Sequence, residues 1–351
     1  MSDSAYARLL DGYHGLCDAR IGEAAYVLGE AVPEELLLAA GLKPIRVRAS
    51  ADTPPETEVL ELAFDEAAKR YYTVMTAGPM PKYLIVSNSG DSDIKLYYYL
   101  RELGRRGALS LPECTLLDWF YTDKPLNHRW NRKELDRFLT LLADWGHPVS
   151  EAALAESIRL CEADRAALRR LLALRRSVLV SGTEALVALG SSLFMEKAEH
   201  RELVLRFCEE AERRKPLSGR RVVLLGSPME DTRLYTLLEH SGYLIVAENH
   251  CLGCSLAAPL PEGDALSALE ARLAPNGKRS LPDEIAAKAA ALCRDYAAEE
   301  AILFAWQGDE AYSWDIPALQ AALPVPLTVF DRQSYDLSEI RNALKAGEQN
   351  G

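Results

Sequence analysis

Five of the seven residues from Glu248 to Cys254, in Glu-Asn-His-Cys-Leu-Gly-Cys, carry side chains able to do chemistry. A carboxylate beside an imidazole, Glu248 with His250, suits proton transfer. The spacing Cys251-x-x-Cys254 suits zinc, an iron–sulfur cluster or a redox disulfide. The same residues also fit two plain loop thiols, since a structural zinc site wants a second ligand pair and only His250 lies near. His250 itself reads as a hydrogen-bonded loop residue or as a catalyst. Two further places invite a ligand. Gly226-Ser227-Pro228 stands before a helical stretch, as does Ser89-Gly90. Free N–H groups at a helix start can receive a phosphate, although an ordinary tight turn explains the same residues. Asp91 and Asp309, each beside a glycine after an apolar run, read as helix caps or as site carboxylates.

These residues need strands and helices to hold them. Val222–Leu225 is a short apolar run closed by Gly226, the pattern of a buried parallel strand. Glu230 and Asp231 then open a helix at its positive end, Gly242 stops it, and Tyr243–Ala247 is a second buried strand. Strand, helix and strand in about 30 residues make a βαβ unit, with both loops at the carboxyl ends of parallel strands. The pattern recurs upstream. Ala25–Leu28, Ile45–Val47, Tyr83–Val86 and Leu116–Phe120 read as strands, with helices from Pro33 and from Asp91 to about Arg105. Downstream, strands over Ala301–Trp306 and Leu327–Phe330 alternate with helices near Ala265–Leu273, Pro282–Tyr296, Ile316–Leu323 and Ser338–Lys345. Between Arg132 and Arg214 the chain is almost wholly helical, interrupted only by VLVSGTE at 178–184. The expected fold is therefore α/β, with two Rossmann-like doubly wound lobes of mostly parallel sheet, residues 1–131 and 216–351, joined by a helical region, 132–215. Gly90, Gly226, Cys251 and Gly308 should lie at strand carboxyl ends, and Tyr97-Tyr98-Tyr99 should pack with exposed hydroxyl tips.

Composition removes several classes of function. At 351 residues the chain exceeds one typical domain, and its formal net charge of -12 argues against nucleic acid as a general partner. No apolar run approaches the ~20 residues that span a bilayer. The acidic start MSDSAYARLLDGYHGLCDAR lacks the apolar core of a signal peptide, so we expect a cytoplasmic protein without a membrane partner. Seven scattered cysteines argue for reduced thiols, with Cys161, Cys208 and Cys293 as small buried hydrophobes. There is no Walker A sequence, G-x-G-x-x-G fingerprint, G-x-S-x-G elbow or H-E-x-x-H motif, which disfavours standard ATP or NAD sites.

Several segments, in order, resemble one family. GEAVPEELLLAAGLKPIRV at 29–47, Gly182–Glu184, RRVVLLGSP, EHSGYLIVAENHCLG and the closing FDRQSYDLSEIRNAL are similar to the D-component of 2-hydroxyacyl-CoA dehydratases, a family that includes benzoyl-CoA reductase subunits. The resemblance implies one subunit of a heterodimer, two Rossmann-like lobes, and a [4Fe-4S] cluster held by three cysteines between them. It also implies an ATP-dependent activator protein that injects one electron, and a thioester-bound 2-hydroxyacyl group that loses water through a ketyl radical. This chain has Gly90-Asp91 and Gly308-Asp309 where the family carries ligand cysteines. The expectation is a partner subunit that shapes an acyl-CoA pocket, with the cluster held by a paralogous subunit or absent from this chain. The ligand loops would be Ser89, Gly90, Gly226 and Ser227, with Glu248, His250 and Asp309 as catalytic candidates. One alternative is an active subunit that uses Cys251 and Cys254 as metal ligands with an unusual third. Another is a binding or scaffold protein that kept the fold alone.

Overall fold

The computed structural model describes residues 4–14, 24–49, 52–60, 64–78, 80–273 and 280–348. In the first half, helix α1 (Ala5–His14) precedes β1 (Ala24–Leu28), α2 (Glu34–Ala39), β2 (Lys43–Arg46), α3 (Glu66–Thr76), β3 (Tyr83–Ser87), α4 (Asp91–Arg105) and β4 (Glu113–Leu117). A helical stretch follows: α5 (Pro125–Asp144), α6 (Glu151–Arg176), α7 (Gly182–Gly190) and α8 (Lys197–Ala211). The second half contains β5 (Arg220–Gly226), α9 (Arg233–His240), β6 (Tyr243–Glu248), α10 (Ala265–Leu273), α11 (Pro282–Asp295), β7 (Glu300–Trp306), α12 (Ala311–Ala322), β8 (Leu327–Gln333) and α13 (Ser338–Glu348).

The strands form two four-stranded, wholly parallel sheets of the same topology, β2-β1-β3-β4 and β6-β5-β7-β8. In each, the first strand lies between the second and third, so the strand order reverses at β1/β3 and at β5/β7. Ligands of open α/β sheets bind outside the carboxyl ends at such a point. The α/β two-lobe expectation is met, with Gly90, Cys251 and Gly308 just beyond strand ends and Gly226 closing β5.

Each sheet is buried on both faces, which is why its strands read as apolar runs without polar alternation. Alternate residues point to opposite faces. On the first sheet, Ala25, Val27, Tyr83 and Ile85 meet α2, α5 and α10, while Tyr26, Leu84 and Val86 meet α3 and α4. On the second, Val222, Leu224 and Phe304 face α1, α7, α8 and α9, while Val223, Leu225 and Leu303 face α11 and α12.

The helices tie the lobes together. α6 is capped by Ser150, whose hydroxyl accepts from the Ala153 N–H. Its Leu154 enters the first core and its Leu171 the second. Ala5, Leu9 and Tyr13 of α1 pack in the second core, and Leu269 and Leu273 of α10 pack in the first. Buried charges reinforce this seam: Arg165 of α6 pairs with Glu35 of α2, and Lys197 of α8 lies 2.8 Å from Glu34. No helix among the described residues is long and apolar enough to cross a membrane.

Several boundaries differ from the sequence reading: α12 opens at Ala311, five residues before Ile316, β8 runs on to Gln333, three past Phe330, and β2 starts at Lys43, two before Ile45. The fourth strand ends at Leu117, three residues before Phe120. Beyond it the apolar Trp119 and Phe120 form a loop, because the Trp119 indole donates to the Ala31 carbonyl and the Phe120 backbone is held by Asn131. Helix α9 opens at Arg233 and not at Glu230, because the Glu230 carboxylate turns away to bind the first lobe.

Candidate functional site between the lobes

The carboxyl ends of the two sheets meet across the inter-lobe cleft. In the first lobe Gly29 turns the chain with φ +89°, and a Cβ there would overlap the Ser87 hydroxyl. Ser87 and Ser89 share a hydrogen bond of 2.7 Å and receive the N–H groups of Ala31 and Glu30. Ser89 is thus a buried bracket that shapes the Gly29–Glu30 turn. Gly90 caps α4 in an extended conformation, and Asp91 and Asp93 already occupy that helix's first turn. Carboxylates at the positive end of a helix complement its dipole and oppose a phosphate there.

The second lobe repeats the device. Gly226, at φ +106°, stands where Gly29 stands, and a Cβ would overlap the Phe304 carbonyl oxygen. The Ser227 hydroxyl donates to Asp309 at 2.7 Å and accepts from the Trp306 N–H at 3.1 Å, bracing the ends of β5 and β7. Ser227 is buried, as Ser89 is.

The Glu248–Cys254 loop lies at the end of β6, the edge strand, and most of it points inward. Glu248 is buried and receives both guanidinium nitrogens of Arg175, each at 2.7 Å. Tyr235 donates to it at 2.9 Å, and the Cys254 thiol at 3.4 Å. Although burial opposes its charge, Arg175 beside it holds the carboxyl below its ordinary range. His250 is buried too: Leu252 N–H donates to Nδ1, so Nε2 carries the proton toward the Tyr235 oxygen at 2.9 Å. Burial lowers its pKa to about 4, making it a neutral imidazole at physiological pH. Burial and the Glu248 charge push the Cys254 thiol up to about 12. Cys251 and Cys254 are both partly exposed and line the groove along α11, but Cys251 alone of the loop also lines the inter-lobe chamber; a guanidinium nitrogen of Arg46, from the first lobe, lies 3.9 Å from its sulfur.

The structure adds residues that the sequence reading missed. Glu230 spans the lobes: its carboxylate accepts from the Ala49 N–H at 3.2 Å and from the Tyr71 hydroxyl, and its carbonyl accepts from Tyr13 at 2.8 Å. Burial raises its pKa. Trp306 stacks on Tyr335 with centroids 4.6 Å apart, and the Arg70 guanidinium lies over the Tyr335 ring, 4.2 Å from its centroid. A cavity at the two strand reversals is lined by Glu30, Arg46, Asp65, Tyr71, Asp93, Glu230, Trp306 and Asp309. It opens outward past Lys69, Gly308, Glu310 and Arg332. Inward, Gly29, Glu30 and Arg46 are shared with a chamber between β2, α2, α10 and the Cys251 loop. That chamber in turn shares Cys251, Leu256, Arg272 and Leu273 with a groove along α11 that includes Cys254 and Lys288. Cavities therefore run in succession from one side of the seam to the other.

The donors on this passage do not fit a [4Fe-4S] cluster, which takes thiolates on most of its irons. Cys114 lies in β4, Cys161 in α6, Cys208 in α8 and Cys293 in α11, all away from the strand reversals; Cys17 lies outside the described residues. Cys254 faces a carboxylate that opposes the thiolate. The one described group with three ligand atoms close together is Glu34, Glu35 and Cys161, and its carboxylates are taken by Lys197 and Arg165. Ser191, His200 and Asp164 resemble a nucleophilic triad in their contacts, 3.1 and 2.5 Å, but Ser191 and His200 are fully buried and reach no substrate.

Against known families, residues 31–343 match the model described as 2-hydroxyglutaryl-CoA dehydratase, D-component. No curated protein matches the chain.

Proposed function

The chain belongs to the 2-hydroxyglutaryl-CoA dehydratase D-component family, and on that premise we propose that it is the cluster-poor partner subunit of a dehydratase- or benzoyl-CoA-reductase-like system. In this reading its lobes hold an acyl-CoA, a paralogous subunit carries the [4Fe-4S] cluster, and an ATP-dependent activator supplies that subunit with electrons. One observation carries the reading: two strand reversals face each other across a passage lined by residues of both lobes. Such a passage admits a long, thin ligand.

Within it, this chain's residues divide into two groups. Ser89, Gly90, Gly226 and Ser227 set the loop backbones that form the cleft walls. Glu248 and His250 fix the floor beneath Cys251, so we assign them positioning and not proton transfer. Asp309, with the Tyr71–Glu230 pair, faces the cavity and is placed to orient polar atoms of the acyl group. Family membership and the cavity support this assignment; the partner, the cluster's location and the substrate are the parts to be tested.

Titration calorimetry with acyl-CoA thioesters, on the chain alone and together with a cluster-bearing paralogue, provides the test. Binding in either state is expected. Absence of binding in both removes the acyl-CoA reading and leaves a scaffold that kept the fold.

A further inference from the structure

The chamber between the lobes carries more positive charge than its neighbours compensate. Lys43, Arg46, Lys197 and Arg272 line it, against Glu30, Glu34 and Glu196. Glu34 is already bound by Lys197 at 2.8 Å. Arg46 donates to the Gly29 carbonyl at 2.8 Å, and its other terminal nitrogen lies 3.9 Å from the Cys251 sulfur, with Glu230 and Glu30 near enough to favour its charge but not hydrogen-bonded to it. The buried Nε of Arg272 has no hydrogen-bond partner. Lys43 reaches Glu196 only at 3.7 Å, with Lys43 partly and Glu196 mostly exposed. A buried guanidinium N–H without an acceptor, as on Arg272, is costly, and an anion in the chamber removes that cost. The remaining wall is apolar, with Val27, Val32, Leu38, Leu256 and Leu273.

The cavity on the far side of Arg46 has the opposite character, with Glu30, Asp65, Glu66, Asp93, Glu230 and Asp309 around that one arginine. An anionic group is repelled there. The passage therefore has a polarity, and Arg46 stands at its neck.

We propose that the inter-lobe chamber is an anion subsite, in which Arg46 and Arg272, assisted by Lys43, hold one carboxylate or phosphate carried on an apolar stem. This rests on the acyl-CoA reading only for the larger molecule to which the anion belongs. Either the thioester's own phosphates or a carboxyl group on its acyl chain supplies the same chemistry.

The test combines affinity with a footprint. Glutarate, butyryl-CoA and glutaryl-CoA are titrated into wild type, Arg46→Gln, Arg272→Gln, their Lys counterparts, and Lys124→Gln as a distant control. In parallel, alkylation of Cys251, on the chamber wall, is followed by mass spectrometry with and without ligand. Loss of a charged hydrogen bond should weaken binding roughly ten- to a hundredfold in each Gln variant. The Lys variants should recover part of it, the control should not change, and bound ligand should slow Cys251 alkylation. A loss confined to glutarate and glutaryl-CoA assigns the subsite to a carboxylate; an equal loss for butyryl-CoA assigns it to phosphate. Wild-type binding of thioesters that the Gln variants keep, or that leaves Cys251 alkylation unchanged, overturns the subsite while the acyl-CoA reading stands. Glutarate binding in the chamber without any thioester binding supports the subsite and overturns that reading. Failure of all three ligands to bind overturns both. Circular dichroism of each variant establishes that lost binding is not lost folding.

Discussion

Arg175 and Glu248 form a fully buried bidentate ion pair, both contacts 2.7 Å, that fastens α6 to the end of β6 directly beneath Cys251. The same guanidinium donates to the Ile245 carbonyl at 2.8 Å, so one side chain joins α6 to β6 at two points along the strand. Removing one member strands the other in a dry interior. Arg175→Met should therefore cost about 3–5 kcal/mol, and the double change Arg175→Met with Glu248→Leu should recover much of it. Urea denaturation of the three proteins checks this. Equal stability of Arg175→Met and wild type would mean that the pair is not what holds the loop.

His250 and Glu248 give the second lobe an acid-sensitive lock. The His250 pKa falls from about 6.5 in an unfolded chain to about 4 when folded. Between those values the unfolded chain binds a proton that the folded one does not, so stability is complete above about 6.5 and is lost as pH falls toward 4. The lowered Glu248 carboxyl adds a loss of the same sign at still lower pH, below its unfolded value. Denaturation midpoints at pH 7 and pH 5 should differ in wild type, and less in His250→Asn. An unchanged difference in the variant would place the acid sensitivity elsewhere.

The two thiols of the C-x-x-C loop should behave differently. Both line the outer groove and Cys251 also lines the chamber, but burial and Glu248 keep Cys254 protonated, with a pKa of about 12. At pH 8 in the folded protein, iodoacetamide should label Cys251 well before Cys254, and both should react in denaturant. Peptide mass spectrometry reads this directly. Equal labelling rates would contradict the hold that Glu248 and the loop have on the Cys254 thiol.

Gly226 tests the strand-end geometry. Its positive φ and the nearness of the Phe304 carbonyl leave no room for a methyl group. Gly226→Ala should cost at least about 2 kcal/mol, from backbone strain together with displacement of β7. Gly242→Ala, at φ +84° but with open space around it, should cost less. Thermal melts of the pair separate steric overlap from strain.

Much of this was legible before any coordinates because it is local. Buried runs such as Tyr83–Val86 and Val222–Leu225, each ended by a glycine turn, mark parallel strands, and Ser150-Glu151 and Pro282-Asp283 mark helix starts. Two of the misplaced boundaries have tertiary causes. Trp119 and Phe120 look like strand residues until Ala31 and Asn131 bind them, and Glu230 looks like a helix opener until Tyr71 and Ala49 draw it away. The site itself was the least legible part. Arg46 meets Cys251 across 205 positions and Tyr71 meets Glu230 across 159, and no spacing rule reaches that far. The likeness between the halves was a usable signal, since Gly29-Glu30 holds the same place in the first lobe as Gly226-Ser227 in the second.

On the proposed reading the chain shapes a ligand passage without itself holding a [4Fe-4S] cluster. Iron and acid-labile sulfide, measured per chain after anaerobic reconstitution of the chain alone, test this most directly. The account predicts well under one cluster per chain, with a spectrum that Cys251→Ser and Cys254→Ser leave unchanged. Near-stoichiometric iron and sulfide, with a charge-transfer band abolished by either substitution, would contradict it and make Cys251 and Cys254 cluster ligands.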